Sequence, residues 1–400
     1  MSSIAGYPLI DNISGLEMWE ARLRAIEHIA SGEELEQLNP SDVPDNLDDI
    51  LAAEEVQGWD DLCDDTPPRN ALEPPETDMD DLAGYSPRDK PWNVHKGYND
   101  VVRYLYSKYD GDEKHADRMR DCAEWLEFAW AYRFANGADA PDRRLRLQVA
   151  NFCHVRGCPV CAWRRSLKMK ALAMQRLPAI MEEYPSYRFL FLTLTVKNCD
   201  VQDLAQTIKH MSKSWERMRH RKEFNIVKGW FRTTEFTRGQ DGLMRVHPHY
   251  HLILHVPSNY FSTNYVRHET WRQIWRECAE LDYDPLVNVK AVKKGDEEKS
   301  IKETMKYVVK EADIAAMLDE PDGWYVRVFE HLRQVKLYTS SGTLKNLVSE
   351  IKNRNEKPGD GDEEDLLHIG DDGADEVIDV SRPVTFDWHT AVKQYRRRKA

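Results

Sequence analysis

The chain has 400 residues and a mass of 46.7 kDa, with 41% apolar residues, 31% charged residues and a mean hydropathy of −0.69. That is enough for two or three domains and a sizeable core. No apolar run approaches the ~18 residues of a membrane span, which excludes an integral membrane protein and a membrane partner. The start, MSSIAGYPLIDN, lacks the basic-then-apolar order of a secretory signal. Seven scattered cysteines exclude a disulfide scaffold and point to a reducing, cytoplasmic setting in which clustered thiols hold metal.

The net charge of −13 is unevenly spread. Residues 1–90 carry −18, residues 91–150 are neutral, residues 151–350 carry +8 and residues 351–400 carry −3. The basic middle interleaves Lys and Arg with Trp and Tyr, a composition suited to a phosphate backbone in spite of the acidic average.

In chain order, Leu16, Trp19, Leu23 and Ile26 are spaced for a short amphipathic helix. The rest of residues 31–90 is rich in Asp, Glu and Pro and is expected to be mostly disordered. Residues 98–135 read as helical. FLFLTLTV (189–196) reads as a strand with Leu190, Leu192, Leu194 and Val196 on one face and Phe189, Phe191, Thr193 and Thr195 on the other. Val201, Leu204, Ile208, Met211, Trp215 and Met218 then repeat at helical spacing, with Asp200 as the expected N-cap. Residues 227–238 and 245–256 read as strands joined by GQDG. Residues 263–281 read as a helix, 286–292 as a strand and 300–312 as a helix. Residues 355–380 form a second acidic linker, and the chain closes on a basic tip, YRRRKA.

This gives four segments: an acidic, mostly disordered arm with a short helix (1–90), a helical segment (91–150), a working domain opened by a cysteine cluster (151–350), and an acidic linker with a basic tip (351–400). The order strand, helix, strand, strand, helix, strand, helix indicates an α+β fold. A central antiparallel sheet carries helices on one face, flanked by helical and disordered acidic segments.

Three features carry chemistry. The first is His247-Pro-His249-Tyr-His251. Side chains alternate along a strand, so the three imidazoles share a face, an arrangement better suited to a metal ion than to a core. If the hairpin turns at Asp241-Gly242, Glu235 lies opposite His247 or His249 and brings a carboxylate to the same place. Such an open mixed N/O site suits a divalent ion that polarises a phosphate.

The second is SIKETMKYVVKEAD. On a helical wheel of ~100° per residue, Ile301, Met305, Val308, Val309 and Ala312 form the core stripe, while Glu303, Tyr307 and Lys310 stand opposite. A phenol is a usable nucleophile toward phosphate if activated. Its ordinary pKa of ~10 leaves roughly one part in a thousand ionised at neutral pH, and a neighbouring ammonium at Lys310 would raise that fraction. Glu303 suits holding water as a general base.

The third is Cys153-His-Val-Arg-Gly-Cys158-Pro-Val-Cys161, close to zinc spacing, with the fourth ligand open among His154, Cys199, Cys122 and a distant histidine.

In order and spacing these segments resemble the rolling-circle replication initiators of small bacterial plasmids, within the HUH endonuclease superfamily. FCHVRGCPVCAWRR, FLTLT, HPHYHLIL and ETMKYVVK carry the resemblance, which covers about residues 145–315. It implies a ferredoxin/RRM-like palm and Mg²⁺ or Mn²⁺ on His249 and His251, with His247 not a primary ligand. It further implies Tyr307 as nucleophile with Glu303 four residues before it, plasmid origin DNA as substrate, host helicase and polymerase as partners, and a bacterial cytoplasmic setting. A transposase or mobilisation relaxase of the same chemistry, a non-catalytic zinc-containing DNA-binding regulator, and a small-substrate metallohydrolase are the alternative readings. The last gives Tyr307 no role.

Overall fold

The computed structural model describes residues 80–110, 113–133, 142–239, 244–305, 323–333, 335–348, 366–367, 369 and 376–399. The chain divides into two compact units, 1–66 and 67–400, and every described residue belongs to the second. The helix expected around Leu16–Ile26, most of both acidic segments, Tyr307 and Lys310 lie outside the described residues, as does the side chain of Glu303.

The central sheet is built from β3 (Tyr187–Thr195), β4 (Cys199–Asp200), β5 (Gly229–Arg238), β6 (Arg245–Pro257), β7 (Val287–Ala291) and β8 (Tyr338–Gly342). Its strands run in the order β7-β3-β6-β5-β8, with β4 against the start of β6 and every pairing antiparallel. The expected α+β class with an antiparallel sheet is what the chain forms.

Period-2 alternation decides what each face packs against. Leu190, Leu192, Leu194 and Val196 join Tyr250, Leu252, Leu254 and Val256 on one face. Against them lie α5 (Leu204–Arg219), through Met211, Trp215 and Met218, and α6 (His268–Cys278), through Trp271, Ile274 and Trp275. Burying each such side chain contributes about 1.5–3 kcal/mol. The helix residues at the expected 3–4 spacing, Leu204 through Met218, are all buried. The opposite face also takes helices at one end. Phe189, Phe231 and Ile253 pack against Met169, Ala173 and Leu177 of α4 (Pro159–Glu183) and against Ile301 and Met305 at α7 (Glu297–Thr304). The other end of that face carries the histidines.

Asp200 does not cap α5 through its side chain. A 3₁₀ turn at Val201–Asp203 precedes the helix, and the Asp200 carboxylate pairs with Arg245 Nη1 at 3.1 Å instead.

Two further expectations are corrected. Residues 98–135 are not one helix. α2 (Pro91–Tyr109) and α3 (Lys114–Arg120) give way to β1 (Trp125–Arg133), which pairs with β2 (Asp142–Ala150). The C-terminal segment is not only linker and tip. β9 (Glu376–His389) and β10 (Gln394–Arg397) complete a second antiparallel sheet, in the order β10-β9-β1-β2. Long-range pairing explains both: Phe128 and Trp130 pack beside Phe386, Trp388 and Tyr395, with Trp92, Val102, Leu105 and Tyr106 of α2 in the same core. The described fold also takes in residues before 90. Asp81 caps α1 (Leu82–Tyr85) by accepting from Gly84 N at 2.7 Å, and Leu82 and Tyr85 are buried. α8 (Trp324–His331) closes this core, with Trp324 Nε1 donating to the Arg245 carbonyl at 2.8 Å. Among the described residues, no helix is long and apolar enough to cross a membrane.

Candidate functional site

The β5–β6 register pairs Glu235 with His249 and Thr233 with His251, and the β3–β6 register pairs Thr193 with His251 and Thr195 with His249. Directly opposed residues share a face, so a carboxylate, imidazoles and threonine hydroxyls converge on the part of the sheet not covered by α4. Glu235, His249 and His251 each bring one donor atom to a common point, all within 4.8 Å of one another. Glu235 Oε2 lies 2.9 Å from His251 Nε2 and 3.7 Å from His249 Nε2. Burial alone would push the Glu235 carboxyl up, but hydrogen bonds and charge from the two imidazoles hold it well below the usual carboxylate range.

The rings are oriented from behind. His249 Nδ1 lies 3.3 Å from the His247 carbonyl, an acceptor that orients the ring with Nε2 toward the cluster. His251 Nδ1 lies 3.2 Å from Thr193 Oγ1, a hydroxyl that can donate or accept, and this contact orients the second ring. This is the backing expected of metal-binding histidines. Two imidazole nitrogens and one carboxylate oxygen on a rigid sheet fit a divalent ion with coordination positions left for water and phosphate.

His247 is not in the cluster. It shares the face, but its Nδ1 lies 2.9 Å from Asn198 Oδ1. Sequence reasoning does not single out Thr193 and Asn198 as orienting partners, although Thr193 stands on the Phe/Thr face of β3.

The helix bearing Glu303 arrives beside this cluster. Ile301 and Met305 are buried, as the wheel required. Thr233 Oγ1 donates to the Thr304 carbonyl at 3.0 Å, and Ser166 Oγ of α4 donates to the Met305 carbonyl at 2.7 Å.

Far from the histidines in sequence, Cys122 joins Cys153, Cys158 and Cys161 in a buried group, again with all donor atoms within 4.8 Å. The Sγ separations Cys122–Cys158 and Cys122–Cys161 are 3.6 Å, and Cys153–Cys161 is 3.7 Å. Of the candidates for a fourth member, Cys122 takes the place. His154 and Cys199 do not belong to the group.

Comparison with known proteins agrees with the family resemblance. A family model described as "Replication protein" matches residues 144–396. A "Protein rep" of Lactiplantibacillus plantarum is 32% identical over 319 residues, covering 76% of this chain and 95% of the relative. One of Bacillus amyloliquefaciens is 33% identical, covering 74% and 88%. One of Streptococcus pneumoniae is 29% identical, covering 77% and 92%. No solved structure matches the chain significantly. A family match over more than half the chain, joined by relatives nearly as long as their aligned regions, leaves one assignment: this chain belongs to the replication protein (Rep) family of plasmid replication initiators.

Proposed function

We propose that this initiator starts rolling-circle replication by nicking one strand of its plasmid origin with Tyr307, in a reaction that depends on Mg²⁺ or Mn²⁺. The observation that carries the reading is the Glu235–His249–His251 cluster with the end of α7 tied beside it through Thr233. Tyr307 follows Thr304 by three residues, a reach of at most ~11 Å of chain.

In this reading His249 and His251 present Nε2, and Glu235 presents Oε2, to a divalent ion. Bound there, the ion supplies Lewis-acid polarisation of the scissile phosphate. The basic 151–350 segment holds the DNA backbone. The Tyr307 phenol oxygen attacks phosphorus, forming an O–P bond as the P–O3′ bond breaks. The phenolic proton leaves to solvent or a nearby base, and the departing 3′-oxygen takes up a proton. The products are a 3′-hydroxyl for a polymerase and a 5′-phosphate on Tyr307. Lys310, three residues further along the sequence, favours the ionised phenol. After one round the regenerated origin is cleaved again. With a single tyrosine in the ETMKYVVK motif, Glu303 serves as general base for water in that second cut.

The direct test mixes the full chain with supercoiled plasmid carrying its own origin and Mn²⁺. The expected product is a relaxed circle with protein attached to a 5′ end, absent for Tyr307→Phe although that variant still binds the origin. Origin binding by the wild type with no nick at all would favour a non-catalytic DNA-binding regulator. Nicking retained by Tyr307→Phe would remove the nucleophile.

A further inference from the structure

We infer that Cys122, Cys153, Cys158 and Cys161 form a tetrahedral zinc site, separate from the histidine cluster, that clamps the second sheet to the helix supporting the nucleophile segment. Four thiolates around zinc at ~2.3 Å place their sulfurs at the corners of a tetrahedron with edges of about 3.8 Å. Three of the edges here are 3.6, 3.6 and 3.7 Å, all donor atoms lie within 4.8 Å of one another, and the four cysteines are not joined by disulfides.

The surroundings suit a metal thiolate. Four thiolates on Zn²⁺ leave a formal charge of two minus, which needs nearby donors and cations. Lys96 is fully buried and places Nζ 2.6 Å from the Cys122 carbonyl, 3.1 Å from the Arg120 carbonyl and 3.2 Å from the half-exposed Glu124 carboxylate. Arg118 donates to the Cys153 carbonyl. The Cys153 backbone N–H donates to Cys122 Sγ at 3.5 Å, the kind of hydrogen bond that stabilises a metal-bound sulfur. The backbone turns sharply beside two of the ligands, with Ala123 at φ 48° and His154 at φ 54°. Non-glycine residues hold that conformation only where their surroundings impose it.

The four ligands come from distinct places. Cys122 lies between α3 and β1, Cys153 follows β2, Cys158 caps α4, and Cys161 sits in its first turn. Zinc therefore fixes the N-terminus of α4 against the strands of the second sheet. Five residues after Cys161, Ser166 holds the carbonyl of Met305. The site braces the nucleophile segment without touching DNA. Binding exchanges four S–H protons for one Zn²⁺ and involves no redox change.

The test uses the full-length protein, purified reduced and passed quickly through EDTA to strip ions from open sites. Elemental analysis is expected to find one zinc per chain. A mercurial titration should release that zinc stoichiometrically, and Co²⁺ exchanged into the site should show the intense sulfur-to-cobalt absorption of tetrahedral thiolate ligation. Cys122→Ser is expected to lose the zinc and the cobalt band, whereas Cys199→Ser keeps both. The wild-type measurements stand even where Cys122→Ser folds poorly. Four thiols reacting freely in native protein with no bound metal, iron in place of zinc, or full zinc retention by Cys122→Ser would each overturn the assignment.

Discussion

The Thr233 hydroxyl donates to the backbone carbonyl of Thr304 at 3.0 Å, joining the strand residue that faces His251 to the last residue of α7. Replacing Thr233 by valine keeps the shape and removes the donor. The variant should lose about 1 kcal/mol of stability. Because the nucleophile segment is then less well held, the nicking rate should fall by ~10- to 100-fold. Origin affinity, measured by gel shift, should stay within about twofold. An equal loss in affinity and rate would place the effect on DNA binding instead.

Chelator should stop cleavage, and added Mn²⁺ should restore it. His249→Ala and His251→Ala should behave like chelator, with nicking down by more than ~100-fold. His247→Ala should cost less than ~10-fold, because that ring is held by Asn198 rather than by the cluster. Initial rates across a Mn²⁺ series separate the classes: equal losses for all three histidines would put His247 among the ligands.

Glu303→Gln should nick the origin at a near-normal rate yet fail to terminate. Replication products in cell extract should then run longer than one plasmid length, resolved on denaturing gels. Products of unit length would reassign the water-activating role.

His255 offers a pH test away from the metal. Its ring stacks on Phe189 with centroids 4.6 Å apart, lies near Tyr184 and Tyr187, and places Nδ1 2.7 Å from Thr343 Oγ1. Burial pushes its pKa down to about 4. In the unfolded chain the ordinary value is ~6.5, so between these pH values the unfolded state binds the extra proton. Stability should therefore fall as pH drops from ~6.5 toward 4, and this contribution to the fall should be absent in His255→Gln. Thermal midpoints of the two proteins from pH 7 to pH 4 check it; parallel curves would contradict it.

The acidic arm offers an electrostatic test. Removing residues 1–79, which stops short of the Asp81 cap and buried Leu82, should tighten DNA binding at low salt and have little effect at high salt. Unchanged affinity at low salt would show that the arm does not compete with DNA.

What the sequence disclosed follows from local periodicity. A period of two put three histidines and the Phe/Thr side of β3 on one face, and the hairpin loop set the register that brings Glu235 opposite His249. A period of 3.6 gave the buried stripe of α5 and the inward Ile301 and Met305. The misreadings lie where structure depends on distant partners. β1 reads poorly as a strand because it follows directly on a helical stretch and because its neighbour β9 is remote in sequence. Val384, Phe386 and Trp388 do alternate, but inside a stretch dominated by charge. Cys122 stands 31 positions before Cys153, and no spacing rule selects it over Cys199 or His154; only the fold does.

The second sheet also bears on how the molecule is made. Trp125 pairs with Asp387, about 260 residues further along. At ~5–20 residues per second, synthesis takes roughly ten to fifty seconds to supply that neighbour. Throughout that interval the nascent chain holds β1 with one open hydrogen-bonding edge and its Leu126, Phe128 and Trp130 side chains without their cover from β9. The expected consequence is a need for holding chaperones during synthesis, and cells short of them should lose this protein to aggregation before it reaches a plasmid.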